Sequence, residues 1–231
     1  MTGEYFSWLS HDDLYFPEKI ETQINIALNQ NDKDTIIVSK GVLINKDNQI
    51  IPSKKKKHIE GKLSAEQVLN WISHGKGING CAIFIPKHII DKAGFFDEKL
   101  VYLNDMDYWY RLCLLNCNFF FSNDVIVKTR IHGQQVSVTK RRLLDNERHV
   151  LADKLLNSLN NAEMDHFKAL YQVSYFCASE NLKCEFSKAK EMLSKIGRYN
   201  LKLKFYFSFC WVKGYIIRFL KYLRKKIQFH R

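Results

Sequence analysis

The stretch Tyr5-Phe6-Ser7-Trp8-Leu9, followed directly by Ser10-His11-Asp12-Asp13, passes from apolar to polar within one residue. A short apolar run that stops at such a cluster reads as a buried strand delivering a loop. Adjacent carboxylates at a strand end are a natural site for a hard cation, because Mg²⁺ or Mn²⁺ takes one or two carboxylates together with substrate phosphates. A neutral imidazole can complete the sphere, more readily for Mn²⁺, and His132 in Arg130-Ile131-His132 is the candidate.

Outward from that loop, Pro17 opens an amphipathic helix to about Gln30, with Ile20, Ile24 and Leu28 on one stripe. Thr35–Ser39 and Gly41–Ile51 read as a β-hairpin pair, Lys46-Asp47-Asn48 being the polar turn of the second arm. The run Lys54–Lys57 is an exposed loop. Ser64 caps a helix through Ile72, with Glu66 supporting its first turn. Gly75, Gly77 and Gly80 then punctuate a loop before a strand at Cys81–Ile85, and Pro86 begins a helix to about Ala93. Glycines before a strand reverse the order of a dinucleotide fingerprint. Phe119–Phe121 and Val125–Arg130 read as strands, and from Arg141 to about Ile196 the pattern is helical.

A second informative stretch is Gly94-Phe95-Phe96-Asp97-Glu98, leading into Asn104-Asp105-Met106-Asp107-Tyr108-Trp109-Tyr110-Arg111. Carboxylates at i and i+2 cannot share one helix face, so one can enter a site while the other supports the helix start. That division suits a positioned general base, for which Asp105 is the candidate. Trp109 also reads as core packing, and Arg111 is expected to pair with a local acid.

The chain has 231 residues, 46% of them hydrophobic and 13% aromatic, enough for a real core. Its six cysteines are scattered without a C-x-x-C pair, which fits reduced core thiols in a cytosolic protein. The net charge of +12 is uneven, since no Asp or Glu follows Glu191. Such an imbalance favours anionic partners. From Phe205 to Ile227 an apolar stripe that includes Phe205, Phe209 and Val212 is interrupted by Lys213, Arg218 and Lys221, with Trp211 beside it. It cannot span a membrane but suits a helix lying in an anionic interface, or one docked on a partner or on the body of the protein. Its aromatics fall on the stripe rather than among exposed lysines, so nucleic acid is not expected as a partner. His11-Asp12 also admits a metal-phosphohydrolase dyad, but His11 is the first histidine of the chain and such a site needs others upstream.

The segment Gly3–Asp13, with Pro17-Glu18-Lys19-Ile20 after it, resembles the metal-binding strand end of family-2-type glycosyltransferases with the GT-A fold. Gly80, Pro86, Gly94–Glu98, Asn104–Arg111 and Arg130-Ile131-His132-Gly133-Gln134-Gln135-Val136-Ser137 are similar to that family's acceptor-side signatures, in family order. The resemblance covers residues 2–139 and implies an α/β fold: the C-terminal part of a GT-A, Rossmann-like mixed sheet with flanking helices, followed by a helical tail. The implied organisation is a partial glycosyltransferase domain at 1–139, a helical extension at 140–198 and a basic amphipathic helix at 199–231. The resemblance implies that Asp12, Asp13 and His132 hold Mn²⁺ or Mg²⁺, that Asp105 is the base, and that Gly80, Asp107 and Trp109 serve the acceptor. It further implies inverting transfer from a nucleotide-sugar donor to a glycan or lipid-linked acceptor in cell-surface polysaccharide synthesis, at the cytoplasmic face of the membrane. The sequence departs from the family pattern at Ser10, where many relatives have Asp, and at Asn104, where many have Glu. The βαβ units that bind the nucleotide in the family would precede Gly3, so the alternative is a remnant, or the acceptor-side subunit of a split enzyme.

Overall fold

The computed structural model describes residues 2–30, 32–52, 59–131, 141–159, 165–180 and 182–195, with isolated helical positions at 205, 208, 209, 212 and 216. The Lys54–Lys57 run, His132 to Ser137, Trp211, Lys213, Arg218 and Lys221 lie outside the described residues.

Chain order runs β1 (Tyr5–Phe6), β2 (Leu14–Tyr15), α1 (Lys19–Asn29), β3 (Thr35–Ile44), β4 (Ile50–Ile51), β5 (Gly61–Leu63), α2 (Ala65–Ser73), β6 (Ile83–Pro86), α3 (Lys87–Ala93), α4 (Asn104–Leu114), β7 (Asn118–Arg130), α5 (Arg141–Ser158), α6 (His166–Glu180) and α7 (Lys183–Lys195). The strands form one mixed sheet of order β1-β6-β3-β7-β2, with β4 on β3 and β5 on β7. Its spine is the parallel pair β3–β7, from Thr35 opposite Asn118 to Ile44 opposite Arg130; the other pairings are antiparallel. The α/β mixed sheet with flanking helices agrees with the expected fold class.

Two sequence expectations are corrected here. Thr35–Ser39 and Gly41 onward are not the arms of a hairpin, and 119–121 and 125–130 are not separate strands. Each is one long strand interrupted by a bulge, where Val38 faces Phe121, Lys40 faces Val125 and Gly41 faces Val127. The polar residues Ser122-Asn123-Asp124 are the excess of the bulged arm, and Lys40 anchors them through Asn123. An added Cβ at Gly41 would lie 3.2 Å from the Val127 carbonyl oxygen, so glycine eases the close approach of the strands beyond the bulge. The turn at Lys46-Asp47-Asn48 does fold β4 back on β3, and Asn45 Oδ1 accepts from the Asp47 and Gln49 N–H groups.

Helix α2 starts as expected at Ser64, but the reciprocal partner of the cap is Gln67; Glu66 instead pairs with Lys168 of α6 at 2.7 Å. The helical segment after residue 140 does not pack apart from the sheet. Leu151, Leu155, Leu170, Val173 and Leu193 join Ile36, Val68, Tyr110 and Phe119 in one buried cluster. Four of the five described cysteines are buried and all five are free thiols.

Candidate functional site

The Ser10–Asp13 loop is carried to the carboxyl ends of the parallel pair β3–β7, the place where open α/β sheets bind ligands. Asp13 is buried, and its Oδ1 accepts from the Arg130 N–H at 3.0 Å. The Arg130 side chain ties down the rest of the rim. Its Nε donates to the Asp12 carbonyl at 3.0 Å, and its terminal nitrogens donate to the Asn45 carbonyl at 2.7 Å and to Asn48 Oδ1 at 2.6 Å. Asp12 itself is half-buried.

The turn before β6 supports this loop from the other side. An added Cβ at Gly80 would meet the Trp8 ring at 3.1 Å, so glycine is what allows Trp8 to lie flat on the turn. The Ser10 N–H donates to Cys81 Sγ at 3.2 Å. Burial pushes the Cys81 thiol up, and the nearby Asp13 carboxylate adds to the shift. That thiol is therefore a packing group.

From Trp8 an aromatic series leads to α4. Trp8 meets Phe96 edge-on at 5.3 Å, and Phe96 stacks on Tyr108 at 4.4 Å. The first turn of α4 carries Asp105, whose Oδ1 accepts from the Met106 N–H at 2.6 Å. Burial holds the Asp105 carboxyl above the ordinary carboxylate range, against the lowering effect of its backbone hydrogen bonds. A carboxyl raised in this way sits closer to the working pH of a general base.

Asp107 and Trp109 are buried, and this corrects their expected acceptor role. Asp107 is fully buried, with Oδ2 2.9 Å from Arg111 Nε and Oδ1 2.8 Å from Lys154 Nζ. Each oxygen lies within ion-pair distance of a partly exposed cation, Oδ1 without an aligned hydrogen bond among the described residues, while Trp109 packs in the core. The Arg111 partner is the local acid that was expected. Sequence reasoning missed Lys154 and Glu147 of α5. Lys154 also pairs with Asp97 at 2.6 Å and pulls the Asp97 carboxyl below its usual range. Glu147 accepts from the Val101, Tyr102 and Leu103 N–H groups at 3.0, 2.8 and 2.9 Å. No local pattern betrayed this, because the acid and the amides lie more than 40 residues apart.

A cavity of about 230 Å³, lined by none of residues 8–13, lies over the β3–β7 bulge. Trp71, Phe121 and Ile78 give it apolar walls; Ser39, Asn79 and Thr129 give it polar ones. Asn79 adjoins Gly80, and its side chain is fixed by a bond to Thr129 Oγ1 at 2.9 Å and by capping the Cys81 N–H. The Trp71 indole N–H is buried with no hydrogen-bond partner among the described residues. At about 30 Å³ per water, the space holds a ligand about the size of one sugar ring.

The described residues supply part of a cation site. Asp12 stands at the rim and Asp13 behind it, whereas no group of three ligating side chains occurs among the described residues. A divalent ion bound through one or two carboxylates and substrate phosphates fits that donor set. Phe205 and Phe209 are helical, 70% and 64% exposed, and the described Val212 and Ile216 beside them are exposed too. Among the described residues no helix is long and apolar enough to cross a membrane.

No protein-family profile matches the chain. It is similar to an uncharacterized glycosyltransferase of Rickettsia typhi, 37% identical over 164 residues that make up 71% of this chain and 51% of the relative. A counterpart from Rickettsia prowazekii is 36% identical over the same shares, so the chain spans about half the length of these curated relatives. Among solved structures it resembles S. aureus TarS 1-349 in complex with UDP-GlcNAc, at a TM-score of 0.55 and 12% identity, over 93% of this chain and 56% of the TarS chain. The chain therefore has the fold of that part of TarS.

Proposed function

We propose that this chain carries the metal and acceptor side of a nucleotide-sugar glycosyltransferase, which transfers a sugar with inversion to a glycan or lipid-linked acceptor in cell-surface polysaccharide synthesis. The observation that carries the reading is the seating of the Asp12–Asp13 loop at the carboxyl ends of β3 and β7, against the Gly80 turn. The glycosyltransferase names of the Rickettsia relatives and the UDP-GlcNAc bound to TarS agree with it.

Asp12, Asp13 and His132 would hold Mn²⁺ or Mg²⁺, and Asp13 also fixes its loop through the Arg130 N–H. The cation supplies Lewis-acid neutralisation of the diphosphate leaving group. Asp105 accepts the proton of the acceptor hydroxyl. That oxygen attacks the anomeric carbon from the face opposite the diphosphate. As the new C–O bond forms, the bond to the diphosphate breaks and its electron pair leaves on the diphosphate oxygen. The exposed apolar residues of the tail support a position at an anionic membrane surface on its cytoplasmic side.

A second reading rests on β1, a two-residue strand at the end of the sheet order, and on the twofold greater length of the relatives. In it the chain is the acceptor-side part of a split enzyme, and a partner strand and nucleotide pocket complete it at β1. Incubating the chain with UDP-, GDP- and dTDP-sugars, Mn²⁺ and a lipid-linked acceptor, and following nucleoside diphosphate release, tests both. Release by the chain alone supports the first reading. Release only after adding a chain bearing the opening βαβ units supports the second, and release in neither case contradicts both.

A further inference from the structure

Lys19 is 1% exposed, and among the described residues its ammonium has no carboxylate partner. Its nitrogen donates to Ser7 Oγ at 2.7 Å and to Gln23 Oε1 at 2.6 Å, and it lies 4.4 Å from the centre of the Tyr15 ring. A buried charge balanced only by neutral acceptors and a π face costs the fold stability. The hydrogen bonds around it have one possible direction. An ammonium cannot accept, so Ser7 Oγ accepts from Lys19. A carbonyl cannot donate, so the Tyr15 hydroxyl donates to the Trp8 carbonyl at 2.6 Å. The Ser7 hydrogen must then point at the Tyr15 oxygen, 3.0 Å away. On the other branch, Lys19 claims the oxygen of the Gln23 amide and so turns its Nε2 toward the Ala82 carbonyl at 2.9 Å. One branch ends on the residue that leads into the Ser10–Asp13 loop, the other on the turn that supports it.

We propose that Lys19 is a positioning residue, whose charge aligns both branches and holds the Ser10–Asp13 loop in the geometry that sugar transfer requires. The link to transfer rests on the function proposed above; the hold on the loop does not. Burial lowers the Lys19 ammonium to about 8, and the groups facing it from neighbouring elements are the Tyr15 hydroxyl and the Cys81 thiol. Burial pushes both of these up, so neither titrates with it.

The test uses the full chain as wild type, Lys19→Met and Tyr15→Phe; the second variant cuts one branch and leaves the charge in place. Amide hydrogen exchange over residues 8–13 is compared with exchange over 36–38 in β3. Both variants are expected to speed exchange in the loop about tenfold, the equivalent of one lost hydrogen bond, with β3 unchanged. Lys19→Met keeps or raises the melting temperature. In the transfer assay it lowers kcat with the acceptor KM unchanged, and the fall in wild-type kcat as pH rises through about 8 disappears. Unchanged loop exchange in both variants, or an equal rise in loop and β3, overturns the proposal. A wild type without transfer activity would contradict the enzymatic reading and leave the exchange comparison to decide the role of Lys19.

Discussion

Asp105 and Asp107 stand two residues apart in the same helical turn, and their surroundings give them opposite tasks. Asp107 is fully buried between Arg111 and Lys154. Removing it with Asp107→Ala takes one partner from two partly exposed cations that keep others, and chemical denaturation should show a loss of about 2 kcal/mol. Asp105 has no cation among its shifts and is held up by burial alone. Because its folded value lies above the unfolded 3.8, its contribution to stability is fully present below that value and is lost as pH rises through the folded one. Asp105→Asn should therefore melt at neutral pH no lower than wild type, while transfer falls about 10²–10⁴-fold. In the wild type the rate should fall as pH drops through the raised Asp105 value, because the carboxyl must be ionised to take the acceptor proton. A variant with full transfer activity would remove Asp105 from the reaction.

The helix that carries these acids depends on α5, an element from the helical segment. Glu147 takes the three N–H groups of the turn ahead of α4, whose N-cap position, Leu103, offers no side-chain acceptor. Glu147→Ala should cost about 2 kcal/mol in denaturant melts and Glu147→Gln less, since the amide keeps an acceptor oxygen. An equal loss in both would assign the effect to packing. Local signals were legible in the sequence: the Ser64 cap, the start of α3 at Pro86, and the polar turn between β3 and β4. The bulged strands were not, because Ser39-Lys40-Gly41 and Ser122-Asn123-Asp124 carry turn residues, and only their pairing across the sheet turns two apparent breaks into one cavity floor. The same limit hid Lys154, whose partners Asp97 and Asp107 lie on the far side of a strand.

Across the whole molecule, one core joins the sheet to the helices of the second half, so the boundary expected near residue 140 marks a change of composition rather than a break in packing. The α/β class was readable from period and polarity, whereas the buried strand expected at Tyr5–Leu9 is a two-residue, half-buried edge strand with Leu9 exposed; the burial of Asp107 and Trp109 was not readable, since a buried acid and an exposed one look alike in sequence. At the far end, Phe205, Phe209, Val212 and Ile216 present exposed apolar side chains. A chain cut after Asn200 should lose flotation with liposomes containing anionic lipid, and unchanged flotation would exclude the tail as the membrane contact. The account turns on whether the Asp12–Asp13 loop receives a nucleotide sugar through a divalent ion. Calorimetric titration of the chain with UDP-, GDP- and dTDP-sugars, with and without Mn²⁺, measures this directly. A binding heat that requires Mn²⁺ and disappears in Asp12→Asn is the predicted result; equal heats in wild type and variant, or none in either, would contradict it.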